Sequence, residues 1–368
     1  LFEELIKRVD FPLVQVNGQD NHTMLVFGDI HLANRTSDAR QFSEFTEDVN
    51  EYLAANPGKK TYALTLGDMT WELYWVSNKY SFDEYIRDIN KIKGIQVFNT
   101  IGNHDHEMAK GVKGDFDTVI KYKKTIAPTY YSFNIGNVHY VVLDNILCTN
   151  VPKDDGSGRD YNSSLTTDQI NWLKKDLAYV DKSKTLVITM HAQMYNENGN
   201  SAMSYASELE QICSGYKTHV ISAHTHVIWN NDKSASGGIF HHNSGAICGT
   251  WWWTGYYTAG LGLCKDGSPS GYYVYEMNGN DVKWRFKPTG KGFDQMFRTY
   301  DRNQIALTST NFTPDAKSDK AAAFEKSASH WVSKSTDNYV YINVFDYDPS
   351  WKIEVSENGK ALTPELVK

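Results

Sequence analysis

Short apolar segments alternate with amphipathic helical segments over about the first 240 residues, and this alternation constrains the fold more than any other feature. Met24 to Phe27 and Thr61 to Leu66 have the length and composition of buried strands. Between them, residues 37–55 place Phe and Val side chains at helical spacing along one side. Strands that alternate with helices form layered domains, because the helices cover the apolar faces of the sheet. The sequence therefore predicts an α/β fold for most of the chain.

The pattern changes after residue 267, where short strand-like segments separated by turns replace the alternation. The predicted strands of this region are residues 271–277, 282–286, 296–300, 339–345 and 353–356, with little helix between them. Several short strands with turn residues between them are typical of a β-rich domain. We therefore predict two domains, one at residues 1–265 and a smaller β-rich one at residues 266–368.

The composition excludes several classes of protein. Hydrophobic residues make up 40% of the 368 residues and charged residues 22%, which is ordinary for a chain that buries a core and unlike a disordered chain. No segment approaches the roughly 20 apolar residues that span a bilayer. The net charge of −7 gives no overall positive field for nucleic acid. We therefore expect no membrane span and no nucleic-acid-binding surface, while the oligomeric state is left open.

Polar side chains with metal-binding chemistry follow five of the predicted strands. The five clusters are Gly28-Asp29-Ile30-His31, Gly67-Asp68, Gly102-Asn103-His104-Asp105, Met190-His191 and Ala223-His224-Thr225-His226. The carboxyl ends of the strands meet at one edge of an open α/β sheet, so folding brings the clusters together. Carboxylate, imidazole and carboxamide groups without a thiolate suit borderline divalent metals such as Mn, Fe, Zn or Co.

Each cluster has an ordinary structural explanation when it is taken alone. A Gly-Asp pair after a strand is usually a turn, and a His-x-His pair is more often exposed than metal-binding. The combination is more informative, because five such clusters after five strands are hard to produce by accident. Alternate residues of an extended segment also point to the same side, so Asp29 and His31 can face one site, as can His224 and His226.

In this order the clusters resemble those of the calcineurin-like metallophosphoesterase superfamily, whose pattern is Asp-x-His, Gly-Asp, Gly-Asn-His-Asp/Glu, His and Gly-His-x-His. The resemblance covers roughly the first 265 residues. It implies a layered α-β-β-α sandwich, a dinuclear metal centre with a bridging hydroxide, and hydrolysis of phosphate mono- or diesters. By this resemblance the ligands of one ion are Asp29, His31, Asp68 and His226, and those of the other are Asp68, Asn103, His191 and His224.

The same resemblance makes His104 a histidine that lies beside the substrate without binding metal. It would protonate the leaving alkoxide or donate a hydrogen bond to a phosphoryl oxygen. In such a site the two divalent ions outweigh the two carboxylates and the hydroxide by one positive charge. That local charge attracts a phosphate anion although the whole chain is acidic.

Two positions depart from the family pattern, and Trp71 and His31 also differ from one branch of the family. Ala223 replaces the usual Gly, which the end of a strand should tolerate. Trp71 stands where the protein-phosphatase branch has the Asp that pairs with the catalytic histidine, so Glu72 or Asp105 is left to orient His104. Purple acid phosphatases have Tyr at the position of Trp71 and Gly at that of His31. Their coloured iron–tyrosinate centre is therefore not expected here.

Two further features suggest contacts with the substrate. Asn34 and Arg35 follow the first cluster closely. They either bind the substrate phosphate or are polar loop residues that face solvent. An aromatic run follows the last cluster and consists of Trp251, Trp252, Trp253, Tyr256 and Tyr257. This run forms either a stacking wall for a nucleobase, sugar or lipid, or an apolar seam between domains.

The stretch from Ser244 to Tyr272 is similar to that of extracytoplasmic bacterial members of the superfamily that carry an extra C-terminal β domain. We therefore expect a periplasmic, secreted or surface-anchored protein, with a preceding segment removed before Leu1. The four cysteines are interpreted as free thiols, with one disulfide left open. Two hypotheses follow: a phosphoester hydrolase, or a weakly catalytic protein whose β domain binds carbohydrate or a partner. Intact ligand positions favour the hydrolase.

Overall fold

The computed structural model describes residues 16–35, 37–107, 112–149, 160–236, 238–254, 262–348 and 351–367. Its strands, in chain order, are β1 (Asn21–Phe27), β2 (Thr61–Thr65), β3 (Val97–Phe98), β4 (Tyr131–Ile135), β5 (Val138–Val142), β6 (Ile146–Cys148), β7 (Tyr161–Ser163), β8 (Thr185–Thr189), β9 (Lys217–Ser222), β10 (Trp229–Asp232), β11 (Phe240–Asn243), β12 (Gly271–Asn278), β13 (Asp281–Pro288), β14 (Phe297–Asp301), β15 (Val340–Val344), β16 (Val355–Glu357) and β17 (Lys360–Leu362). Its α-helices are α1 (Asp38–Ala55), α2 (Phe82–Ile89), α3 (Asp115–Thr118), α4 (Ile120–Thr125), α5 (Thr167–Leu177), α6 (Ala206–Cys213), α7 (Ser309–Phe312) and α8 (Ser318–Ala328).

Two large sheets form the centre of the molecule. The first has the strand order β13-β12-β1-β2-β3, and the second has the order β10-β11-β9-β8-β5-β4. Parallel pairing joins β1, β2 and β3 in the first sheet and β5, β8, β9 and β11 in the second. Because parallel neighbours end at the same edge, the loops after these strands lie together.

Three apolar clusters show that the two sheets stack between two layers of helices. Between the sheets, Val26 and Leu64 of the first pack with Tyr140 and Val187 of the second. Outside the first sheet lie side chains of α1 and α2, and outside the second lie those of α5 and α6. This arrangement confirms the predicted α-β-β-α sandwich.

The strands β12 and β13 were predicted to belong to the C-terminal domain, and in the structure they complete the first sheet instead. Six residue pairs join β12 antiparallel to β1. Tyr272 and Val274 face the outer cluster, whereas Tyr273 and Tyr275 face the space between the sheets. A strand that is apolar on both faces is stable only where both faces are covered. The sheet therefore crosses the boundary predicted at residues 265 and 266.

The remaining C-terminal residues form a β-rich region with small sheets. β14 pairs with β15 and β16 with β17, in two antiparallel ribbons. The prediction of little helix is wrong for this region, because α8 spans 11 residues. Phe345, which follows β15, is 4% exposed and packs into the cluster between the large sheets. The C-terminal region is thus attached to the sandwich by a buried contact.

Several local predictions agree with the structure. The spacing of Ser81 and Glu84 predicts a capping box, which the two residues form at the start of α2. Gly136-Asn137 between two apolar segments predicts a hairpin, which β4 and β5 form. The four cysteines are buried free thiols. Among the described residues, no helix combines the length and the apolar character needed to cross a bilayer.

Candidate metal centre

The side chains of all five clusters converge beyond the carboxyl ends of the strands. Asp29 and His31 follow β1, Asp68 follows β2, Asn103 follows β3, His191 follows β8, and His224 and His226 follow β9. Six of these side chains are at most 3% exposed, and only that of His224 is partly accessible. A buried concentration of charged and imidazole groups is costly unless each is paired or binds a metal.

Asp68 lies between histidines from two different strand ends. Its Oδ2 is 3.4 Å from Nε2 of His31 and 3.3 Å from Nε2 of His191. Asp29 lies beside His226, and its Oδ1 is 3.6 Å from Nε2 of that ring. These separations exceed a hydrogen bond and suit atoms that bind one cation from different directions.

Backbone carbonyls orient two of the histidines. Nδ1 of His191 donates to the carbonyl of Leu66 at 2.8 Å, and Nδ1 of His226 donates to the carbonyl of Gly249 at 2.5 Å. A carbonyl only accepts, so Nδ1 carries a proton in each ring, and Nε2 is the ring atom directed at the cluster. Such second contacts commonly fix the orientation of metal-binding histidines.

Several ring nitrogens of the cluster lie close to one another. Nε2 of His226 is 3.2 Å from Nε2 of His31, and Nδ1 of His224 is 3.1 Å from Nε2 of His191. Oδ1 of Asp29 is buried and has no hydrogen-bond partner among the described residues. Imidazole nitrogens and carboxylate oxygens that converge in a buried cluster can be satisfied by a cation. The donor set of oxygen and imidazole nitrogen therefore fits divalent metal ions such as Mn, Fe, Zn or Co.

The electrostatics of the cluster favour positive charge next to Asp68. Burial opposes ionisation, but His191 and His104 outweigh it and hold the pKa of Asp68 well below its usual range. For His191 burial is again the largest effect and opposes charge, yet Asp68 raises the pKa of the ring to about 9. Burial lowers the pKa of His224 to about 3 and raises the pKa of Asp29. The carboxylate of Asp68 is thus the anionic centre of the site.

The backbone of the cluster is strained. Five of the candidate ligands have φ between 43° and 71°, a backbone region that residues other than glycine rarely adopt. They are Asp29, His31, Asp68, His224 and His226. Strain of this kind persists where the surrounding structure imposes it, and it concentrates at functional sites. Gly67 and Gly102 allow two of the loops to meet: a Cβ on Gly102 would lie 2.2 Å from the backbone nitrogen of Asp68.

Glu72, and not Asp105, contacts the ring of His104. Oε2 of Glu72 lies 2.7 Å from Nδ1 of His104, and the Glu72 side chain is only 5% exposed. Asp105 instead accepts hydrogen bonds from the backbone of Met69, Thr70 and Gly102. Burial and the charge of Asp68 raise the pKa of Asp105 to about 7. The catalytic role predicted for Asp105 is therefore corrected to one of joining the second and third loops.

Arg35 and Trp251 lie at the rim of the cluster. The guanidinium of Arg35 stacks over Trp71 at 4.8 Å and donates to the carbonyl of Trp251 at 3.0 Å. The ring of Trp71 is 5.2 Å from that of His104, and the ring of Trp251 is 4.7 Å from that of His226. Both residues are thus within one ring of the candidate ligands.

Asn34 and Trp252 have structural contacts. Asn34 is exposed and donates to the carbonyl of Asn78. Trp252 is 4% exposed, packs against Phe42 and donates from its indole to the carbonyl of Ile30. The stacking role predicted for Trp252 is therefore wrong, because its ring is part of the core. Trp253 is 60% exposed, and Tyr256 and Tyr257 lie outside the described residues.

The comparisons with known proteins agree with the fold and the motif order. Residues 22–228 match the family model described as calcineurin-like phosphoesterase, and residues 241–368 match that of the C terminal of calcineurin-like phosphoesterase. Purple acid phosphatase 18 of Arabidopsis thaliana is 28% identical over 203 residues, which are 49% of this chain and 42% of that protein. The chain thus spans less than half the length of this relative.

Two solved structures are similar to this chain, and the first of them shares its fold. A dimetal phosphatase from Danio rerio has a TM-score of 0.51 at 11% identity, with 73% of this chain and 97% of that chain covered. A purple acid phosphatase from seeds of yellow lupin (Lupinus luteus) has a TM-score of 0.49 at 13% identity, with 74% and 52% covered.

Proposed function

The chain belongs to the calcineurin-like phosphoesterase family, and on that premise we propose that it is a metal-dependent hydrolase of phosphate mono- or diesters. The observation that carries the proposal is the convergence of seven oxygen- and nitrogen-donor side chains from five loops on one buried point. The purple acid phosphatase name of a relative supports the choice of phosphate esters.

Two divalent ions would be held by the residues that the sequence pattern assigns. Asp29, His31 and His226 would hold one ion, Asn103, His191 and His224 would hold the other, and Asp68 would serve both. Such a pair of ions acidifies a water molecule and binds the oxygens of a phosphate ester when it is present. The identity of the metals is not assigned.

His104 is proposed to act on the leaving group. Its Nδ1 faces Glu72, so Nε2 lies on the opposite edge of the ring, and the side chain is 18% exposed. The carboxylate of Glu72 stabilises the imidazolium, which then donates a proton to the departing alkoxide. The guanidinium of Arg35 is proposed to contribute positive charge at the rim, where an incoming phosphate anion passes.

Trp71 helps to define which kind of metal centre the site can form. The indole lies 5.4 Å from the ring of His31 and offers no phenolate oxygen to an ion. We therefore propose that the centre lacks the coloured iron–tyrosinate pair of purple acid phosphatases. An extracytoplasmic location, expected from the subgroup resemblance, is part of the same proposal.

Turnover of p-nitrophenyl phosphate and of its bis-ester tests this function. The protein loaded with Mn²⁺ should hydrolyse at least one of the two, a chelator should abolish the activity, and added Mn²⁺ should restore it. Metal-independent turnover would point to a contaminant. Metal binding without turnover of any phosphate ester would favour the alternative of a binding protein that recognises carbohydrate or a partner.

A further inference from the structure

Trp251 connects the candidate metal centre to an exposed cation. The centroid of its ring lies 4.7 Å from that of His226, and Nζ of Lys265 lies 4.7 Å from the same Trp251 centroid. An ammonium group over an indole is attracted by the negative face of the ring. Lys265 is therefore held one aromatic ring away from a candidate metal ligand.

The backbone fixes Lys265 relative to that ligand. The N–H of Lys265 donates to the carbonyl of His226 at 3.0 Å. The preceding residue, Cys264, is 4% exposed and accepts from the N–H of Ala246. The segment that carries Lys265 is thus bonded to the loop that carries His226, so the backbone position of Lys265 is set by the same structure that sets the ligand.

The charge of Lys265 is not neutralised by its neighbour in sequence. Asp266 accepts from Ile228 through Oδ2 and from Ser268 through Oδ1. Arg35, the other cation at the rim, is already stacked on Trp71 and bonded to Trp251, with 17% of its side chain exposed. Lys265 is exposed and flexible in its outer carbons, so its ammonium group can reach a ligand beside Trp251.

We propose that Lys265 binds a second anionic group of the substrate, so that the preferred substrates are phosphate esters or anhydrides whose leaving group carries a phosphate or a carboxylate. This inference rests on the proposed function, because the metal centre holds the phosphate that is cleaved. Nζ of Lys265 lies over the indole of Trp251, which is itself the ring beside His226. It therefore serves an anionic group other than the phosphate that the ions hold, and in a phosphate monoester that group is part of the leaving group.

Binding of three non-hydrolysable probes to the metal-loaded protein tests the inference by calorimetry. Methylphosphonate carries one anionic group, methylenediphosphonate adds a second phosphonate, and phosphonoacetate adds a carboxylate. In Lys265→Met the affinity for at least one two-group probe should fall about 10- to 100-fold, the range for a lost charge-assisted hydrogen bond. The affinity for methylphosphonate should change less than about 2-fold, within the small effect of a distant, screened charge.

The two-group probe that loses more affinity identifies the second group as a phosphate or a carboxylate. Lys283→Met, which removes another exposed lysine on β13, serves as the control and should leave all three affinities unchanged. Equal losses for all probes, or none, would overturn the role of Lys265 while leaving the proposed function intact. If no probe binds in a metal-dependent way, the proposed function fails and this inference fails with it.

Discussion

At the scale of single residues, Asp68 is the residue whose replacement should affect the metal centre most. It is the carboxylate closest to both His31 and His191, at 3.4 Å and 3.3 Å. Each divalent ion needs an anionic ligand to offset its charge. We therefore expect Asp68→Asn to lose both ions or nearly so, measured as metal per chain. Asp281→Asn, at an exposed carboxylate, should retain them. Two ions per chain in Asp68→Asn would refute the bridging position.

His104 and Glu72 are expected to act as a pair that does not hold metal. His104→Ala should keep both ions and lose about 10²- to 10⁴-fold in kcat on an alkyl phosphate, the range for a missing general acid. The loss on a nitrophenyl ester should be smaller, because nitrophenolate departs without a proton. The kcat of Glu72→Gln on an alkyl phosphate should lie between those of His104→Ala and the unaltered protein. The amide still accepts from Nδ1 of His104 but carries no charge.

The leaving-group dependence distinguishes the possible roles of His104. An equal loss on both substrates would mean that the ring stabilises phosphoryl charge and does not donate a proton. Loss of metal from His104→Ala would place the ring among the ligands.

Residue types and spacing were enough to predict which side chains meet at the cluster but not the contacts around it. Asp105 and Glu72 are both acidic and close to His104 or Asp68 in sequence, and the backbone of the third loop decides which one meets the ring. Trp251 and Trp252 both have positive φ, so consecutive indoles point in unrelated directions. No periodicity in the sequence predicts that one ring faces His226 while the next enters the core.

At the scale of elements, β11 contains a buried histidine whose protonated form is destabilised by its apolar surroundings. His242 lies between the sheets with Phe240, Tyr275 and Trp284, and its Nε2 contacts Nδ1 of His219. Burial, with smaller effects from His219 and His241, holds the pKa of His242 well below its usual value. The folded state then binds fewer protons than the unfolded state, so stability falls as the pH drops below about 6.5.

His242→Phe should weaken this dependence on pH. The phenyl ring keeps the aromatic packing and removes one titrating group, so the free energy of unfolding should fall less steeply between about pH 6.5 and 4, by up to about 1.4 kcal/mol per pH unit. Denaturant unfolding at several pH values measures the slope. His330→Gln, at an exposed histidine, should leave the slope unchanged. An unchanged slope in His242→Phe would mean that His242 does not resist protonation.

Elements set by neighbouring residues were predicted more accurately than those set by distant ones. The capping box at Ser81 and the turn at Gly136 are encoded within a few residues. By contrast, β12 joins β1 across some 250 residues of sequence, and no local signal distinguishes a strand of this sheet from one of a separate β domain. The sequence also favours a strand over residues 95–100. The structure has a shorter one, Val97–Phe98, because it lies at the edge of the sheet and pairs with β2 alone.

At the scale of the whole molecule, one buried carboxylate joins the C-terminal region to both large sheets. Oδ1 of Asp346 accepts from Tyr273 on β12 and from Asn230 on β10, each at 2.9 Å. Burial outweighs these two hydrogen bonds and raises the pKa of Asp346 to about 6. The contact therefore includes a charge that the interior disfavours at neutral pH.

The raised pKa of Asp346 sets the sign of its effect on stability. Between about pH 4 and 6 the folded state binds a proton that the unfolded state has released, so the free energy of unfolding decreases as the pH rises. Above pH 6 the ionised carboxylate costs on the order of 2–3 kcal/mol relative to the protonated one. Below pH 4 both states are protonated and the cost disappears.

Asp346→Asn should therefore stabilise the protein at neutral pH. The Asn oxygen accepts the same two hydrogen bonds without a charge, and Asn tolerates the φ of 53° at this position. The gain in free energy of unfolding should approach about 2–3 kcal/mol at pH 7.5 and vanish near pH 4. Asp294→Asn, which removes an exposed carboxylate of the same region, should have no such pH-dependent effect. A variant that is less stable than the unaltered protein at pH 7.5 but equally stable near pH 4 would show that the charge of Asp346 itself holds the C-terminal region against the two sheets.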